Sequence, residues 1–435
     1  MEAKIAKPPV AAGGKPRFIG IDLVKILACI LVVCVHFFLY SGFYSEPITK
    51  DFGQGPIFFR WAAYCCVPLF MITTGYLMKN KTLSKKYYLG ILRVLIIYVI
   101  CSIICYCFDM HHWPMKYDYQ FGGYSIWIFI RGIFMFHDAQ YAWYVEYYIC
   151  MFLIIPFVNA AFNGLQNKKQ KQIMLITTIV ITIVSQSFFV GFKDATQIRL
   201  FPGYFTRCYP IAYYLIGAYI REFPPKRTLM NKLYFIMMYG IGLAWVSTTT
   251  YQQSMLNEEN NFVMLSKHYN DYGSWPVALC STMLFLVVFD IQSKNKTLIT
   301  VVKFISEATF ACYLVSYVFD SIYYAKFSIK YLTVAERCSH AYEVIPKVFF
   351  SAMGVALCIQ AVYSICDWII RKKIVPAVKT ASTEEAAALD AVVEEAAPIE
   401  QNDAIDDEIA KLKNLFDEGV LTEEEYKQQV ERMTK

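Results

Sequence analysis

Apolar residues fill the chain in long blocks, and short polar stretches separate them. A helix needs roughly 20 apolar residues to cross a bilayer. About ten blocks meet that length, near 18–40, 56–78, 88–108, 141–162, 172–193, 202–221, 232–250, 275–291, 300–324 and 344–370. The run 124–136, YSIWIFIRGIFMF, is too short to cross and predicts an interfacial or re-entrant helix. The predicted fold is all-α, a polytopic membrane bundle of about ten transmembrane helices plus a small cytoplasmic helical hairpin.

The polar stretches alternate in charge. One set carries Lys79, Lys81, Lys85 and Lys86, then Lys168, Lys169 and Lys171, then Arg221, Lys226 and Arg227, and finally Arg371, Lys372 and Lys373. The other set holds Glu46, Asp51, Asp109, Asp118, Glu258 and Asp271. Short basic loops stay on the cytoplasmic side, so the first set and both termini are expected inside the cell membrane.

Four regions follow. Residues 1–16 read as a basic, flexible cytoplasmic tail, and 17–373 as the membrane domain. Residues 374–403 are rich in Ala and Glu without apolar periodicity, which predicts a flexible linker. In 404–435, Ile405, Ile409 and Leu412 regain helical spacing. Gly419 stops that helix, and Thr422 with Glu425 forms a capping box for a second one. Two short helices bury little surface alone, so self-association or a partner protein is expected through 404–435.

Composition agrees with a lipid bilayer as the surroundings: 57% hydrophobic, 17% charged, mean hydropathy +0.38. The net charge of +6 comes from clusters that topology already explains, so nucleic acid is not an expected partner. Nearly all of the 14 cysteines lie inside apolar blocks as small buried side chains. No metal is expected: His111, His112 and His137 fit no helical ligand pair, and Pro114 interrupts the segment. Phosphate-binding glycine loops, G-x-S-x-G and His-Glu-x-x-His are all absent from the sequence.

The candidate chemistry starts in the first block, RFIGIDLVKILACILVVCVHFFLY, which carries Asp22, Lys25 and His36. Eleven steps of about 100° bring His36 onto the face of Lys25, roughly 16 Å along the axis. Ionisable groups inside a membrane are expensive and mark function by default. A local Asp22–Lys25 pair, or snorkelling of Lys25, is the bland alternative, and for His36 it is a packed structural role. Arg93 lies at the depth of Lys25, and two cations at one level suit a phosphate-bearing donor. Trp143 reads most simply as an interfacial belt residue. Glu146 lies near the depth of His36 and could orient the imidazole, or pair with Arg207 instead. Asp320 also sits at this outer level.

These pieces, in order, resemble the acyltransferase-3 family of integral membrane proteins. The matching stretches are Asp22-Leu-Val-Lys25 followed by ten residues and His36, Pro68 to Gly75-Tyr76, Arg93 with Tyr98, Trp143-Tyr144-Val with Pro156, Tyr214-Leu-Ile-Gly217, and Ser306 through Tyr313-Leu314-Val315. The segment LKNLFDEGVLTEEEY in turn resembles a SHOCT module. The resemblance implies transfer of an acyl group, acetyl foremost, from cytoplasmic acyl-CoA as co-substrate to a hydroxyl of a cell-surface or lipid-linked glycan, with no bound cofactor. It carries His36 over as the essential histidine, and Lys25 and Arg93 as basic positions for the donor. Where the family commonly has His after Tyr-Leu-Val, this chain has Ser316, a candidate acyl relay or a serine bonded to its own helix. Two other readings fit the same spans: a transporter or exporter without covalent chemistry, and a sensor or scaffold acting through the C-terminal hairpin.

Overall fold

A computed structural model describes residues 19–45, 53–113, 125–184, 189–190, 196–197, 201–256 and 272–370, with 412–413, 425 and 427–430 beyond them. The chain divides into two compact units, Met1–Tyr363 and Ser364–Lys435. In the second unit, 412–413, 425 and 427–430 are helical, as the hairpin pattern predicts for those positions. The tail 1–16, the linker 374–403 and the rest of the hairpin lie outside the described residues.

Among the described residues, seven helices are long and apolar enough to cross a membrane. The first is α1 (Ile19–Tyr40). The second is a pair, α2 (Gly55–Ala63) and α3 (Cys66–Met78). Their junction at Tyr64–Cys65 has a cause in the sequence. Pro68 has no N–H to give the carbonyl of Tyr64, four residues back, and its ring crowds that carbonyl. The short α4 (Lys85–Leu89), capped by the Ser84 hydroxyl, leads into α5 (Leu92–His112).

Next come α6 (Ile126–Phe134), α7 (Trp143–Gly164) and α8 (Lys168–Thr182). A two-residue antiparallel ladder pairs Phe189 with Gln197 and Val190 with Thr196. After it come α9 (Gly203–Thr206), α10 (Tyr209–Glu222), α11 (Leu229–Leu256) and α12 (Trp275–Val288). The long α13 (Lys296–Lys330), the short α14 (Val334–Ser339) and α15 (Ala341–Ile369) complete the order.

The expected count of about ten spans is therefore corrected to seven, joined by three shorter helices. Those three, α8, α10 and α12, have 15, 14 and 14 residues. At about 1.5 Å per residue they fall short of a hydrocarbon core of about 30 Å. The reasons are local. Polar KKQKQ occupies the first turn of α8. A break at Arg207–Cys208 splits the block 202–221, and Pro210 sits in the first turn of α10. The interfacial run forms α6, with Trp127 and Phe134 turned outward.

Close backbone contact holds the centre together. α3 packs on α10, and α1 packs on α13 and α3. A Cβ on Gly75 would collide with the Tyr214 carbonyl oxygen, and one on Gly217 with that of Ile72. The two motif glycines thus face each other's helix across one crossing, the close approach that small residues permit in membranes. On α1, Val24, Ala28, Val33 and Phe37 are completely buried.

The groups at one end of the bundle are basic. Lys79 and Lys171 both reach Glu222, at 2.7 and 2.6 Å, joining α3, α8 and the end of α10. Partial burial acts to raise the Glu222 carboxyl, but the bonds from Lys171 and Lys79 outweigh it and hold the group below the usual carboxylate range.

Candidate active site

The loop that follows α6 sets one side of the site. α6 ends with Phe136 in the left-handed region, φ 55°. The His137 N–H returns to the Gly132 carbonyl at 2.9 Å, and that of Phe136 to Ile133 at 3.3 Å. This is the reversed helix end that glycine usually supplies. Here the Phe136 ring stacks on Tyr98, 5.3 Å between centroids. The turned chain then delivers Tyr141 to the interior.

Two parallel helices supply the rest. The Ser306 hydroxyl of α13 donates to Asp22 Oδ1 of α1 at 2.7 Å. Further along, His36 Nδ1 of α1 lies 3.3 Å from Asp320 Oδ2 of α13. Both pairs are separated by 284 residues in the chain, so the two helices run side by side in one register. Between the two pairs, the Cys29 thiol meets the Thr309 carbonyl.

His36 and Asp320 are buried, and Asp320 is wholly so. The Tyr141 hydroxyl donates to the same Asp320 Oδ2 at 2.7 Å. The Tyr141 ring lies over the imidazole with centroids 3.8 Å apart. The Tyr40 hydroxyl is 3.0 Å from that of Tyr141. The His36–Asp320 contact lacks the alignment of a hydrogen bond, so Tyr141 is the group that fixes the carboxylate.

A cavity of about 660 Å³ opens between these elements. Lys25 and Arg93 line it, as do His36 and Trp143. The face of α1 that borders it holds Lys25, Val32, His36 and Leu39, the spacing expected of one helical face. Arg93 donates to the Gln360 side-chain oxygen at 3.1 Å and lies 5.3 Å from the Tyr363 ring centre. Trp143 stands nearly parallel to Tyr272 at 6.0 Å.

Lys25, Arg93, His36 and Trp143 thus come together on one cavity, and Asp22 supports α1 through Ser306. Glu146 does not join them. It is exposed on α7, where Tyr144 and Tyr148 line the cavity. Two residues from Tyr144, its side chain points about 200° around the helix. Asp320 takes the position beside the imidazole. Ser316 is buried and donates to its own helix, to the Tyr313 carbonyl at 2.9 Å. No cluster of His, Cys, Asp and Glu suited to a metal occurs among the described residues.

A bundle of apolar helices around an internal cavity with ionisable walls defines a multi-pass membrane protein with an embedded site. Residues 18–364 match the family described as acyltransferase domain, acyltransferase-3, and residues 407–433 match the short C-terminal domain, SHOCT. The chain belongs to the acyltransferase-3 family and is a membrane acyltransferase with a SHOCT module at its C-terminal end. No curated protein and no solved structure matches it.

Proposed function

We propose that the protein is an O-acyltransferase of the cell membrane. It moves an acyl group, acetyl foremost, from cytoplasmic acyl-CoA to a hydroxyl of a cell-surface or lipid-linked glycan. The observation that carries this reading is the single cavity bordered by Lys25 and Arg93 as well as by His36. Cations attract the phosphates of a coenzyme A donor. The roughly 16 Å between Lys25 and His36 suits the extended pantetheine arm that would carry the thioester to the imidazole.

In this mechanism the Asp320–Nδ1 contact, 3.3 Å at rest, tightens as the imidazole takes up a proton, which leaves Nε2 for the acceptor. His36 removes the acceptor's proton as its oxygen attacks the thioester carbon, then returns the proton to the departing sulfur. Lys25 and Arg93 hold the donor, and Trp143 borders the acceptor's approach. The C-terminal module binds a second copy or a partner protein.

The test compares surface glycans, by mass spectrometry, from cells with and without the protein. One acyl increment that requires the protein, and that is lost with His36→Ala, is the expected result. Identical glycans in both cells would sink the acceptor assignment.

A further inference from the structure

Tyr313 sits midway between Ser306 and Asp320 on α13, seven residues from each, on the face turned to α1. It lines the cavity and is 7% exposed. Its ring lies nearly parallel to Tyr141, 6.4 Å away, and Tyr141 is the ring that covers His36. A second ring, that of Tyr144, meets it edge-on at 6.3 Å.

The Tyr313 hydroxyl has no hydrogen-bond partner among the described residues. The amide of Tyr144, in the first turn of α7 where no side chain caps the helix, stands by its oxygen. An amide N–H cannot accept, so the phenolic proton has no taker. A buried hydroxyl left in that state is costly, and native proteins keep few of them.

Acyl transfer from a thioester needs a donor where negative charge develops on the carbonyl oxygen. Of the hydroxyls that line the cavity, those of Tyr313 and Thr73 are the buried ones without a partner among the described residues. The Tyr141 proton is committed to Asp320. Lys25 stands roughly three helical turns from His36, at the other end. Thr73 is the rival: buried, lining the cavity, and also without a partner among the described residues. A phenol is the more acidic of the two hydroxyls and the stronger donor to an oxyanion.

We propose that Tyr313 is a catalytic residue whose hydroxyl binds the thioester oxygen as it becomes an oxyanion. This role rests on the acyl-transfer reading above. The acceptor oxygen forms a bond to the carbonyl carbon while His36 takes its proton. The carbonyl π pair moves onto oxygen, where the Tyr313 O–H donates to it. That pair then re-forms the double bond and the C–S bond breaks. Sulfur leaves with the bonding electrons and takes the proton from His36.

The experiment uses full-length protein in lipid vesicles, with acetyl-CoA as the probe. CoA and acetate release, or acetyl transfer to extracted cell-surface glycan, are followed by mass spectrometry. Tyr313→Phe keeps the ring and removes only the orphan hydroxyl. We expect kcat to fall about 100- to 1,000-fold, as for loss of one oxyanion donor. KM for acetyl-CoA should stay at its wild-type value and the melting temperature should change little, because the hydroxyl gives its proton to no group of the folded protein. Thr73→Val should leave kcat close to wild type. Unchanged kcat in Tyr313→Phe, with active wild type, overturns the role of Tyr313 alone. The reverse pattern assigns the donor to Thr73. Wild-type protein that turns over no acyl-CoA overturns the acyl-transfer reading, and this role with it.

Discussion

At one end of the cavity, Lys25 and Arg93 reach in on long stems from α1 and α5, and both are half-buried. Arg93 is steadied by one amide and one ring, from Gln360 and Tyr363. At the other end, His36 is enclosed by the Tyr141 ring and the Asp320 carboxylate, and Tyr141 fixes that carboxylate in turn. Long cationic stems can follow a donor that arrives and leaves. An imidazole held by three elements cannot follow anything, and proton transfer needs that fixity. On the proposed reading, the difference separates an end that binds from an end that reacts.

The sharpest break of this contrast is His36→Ala. General acid–base groups contribute about 100- to 10,000-fold, so kcat should fall by that factor while KM for acyl-CoA holds. Unchanged melting in detergent would show that the protein is folded. A wild-type rate in this variant would end the assignment.

Asp320→Asn should act through His36. Once the 3.3 Å contact tightens around a protonated imidazole, a hydrogen bond to a charged group is worth about 1.5–3 kcal/mol, or about 10- to 150-fold in rate. Glu146→Gln makes the paired measurement and should leave kcat unchanged, since its side chain is exposed away from the cavity. If the two variants behave alike, Asp320 is not the orienting carboxylate.

Arg93→Gln and Lys25→Gln should invert the pattern, raising KM with kcat nearly intact. For half-exposed cations the effect should be about 1 kcal/mol each, or about fivefold. A kcat loss without a KM change would place them in the reacting end instead.

The smallest effect concerns cations outside the cavity. Lys79 and Lys171 already have their anion in Glu222. Glu222→Gln should leave turnover intact and lower the melting temperature slightly, since such pairs contribute about 0.2–1 kcal/mol. Because the Glu222 carboxyl is held low, its contribution is present above the ordinary carboxylate range and disappears as pH falls through the folded value. Wild type and variant should therefore differ at pH 7 and converge in acid. A gap that persists unchanged in acid would mean that packing, rather than charge, holds the three helices.

Much of this arrangement was legible in the sequence. A rigid helix converts spacing into facing, so Lys25 and His36 could be placed on one side of α1 before any fold was known. Asp320 was visible as an intramembrane carboxylate, but its partner was not. Depth estimates put Glu146 and Asp320 at one level, and only packing decides which of two residues on different helices meets a third. Hydropathy overcounted the spans for a related reason. It sums apolar character along a window and does not register the break at Arg207–Cys208 that shortens α10.

The equal separation of the two polar pairs along α1 and α13 limits how the gene can change. One residue inserted between Ser306 and Asp320 would leave hydropathy and composition almost untouched. It would also swing the carboxylate about 100° away from the imidazole. The same holds for an insertion between Asp22 and His36. Substitutions along these stretches can be absorbed one at a time, but a change in length in either helix would have to be matched in the other, nearly three hundred codons away.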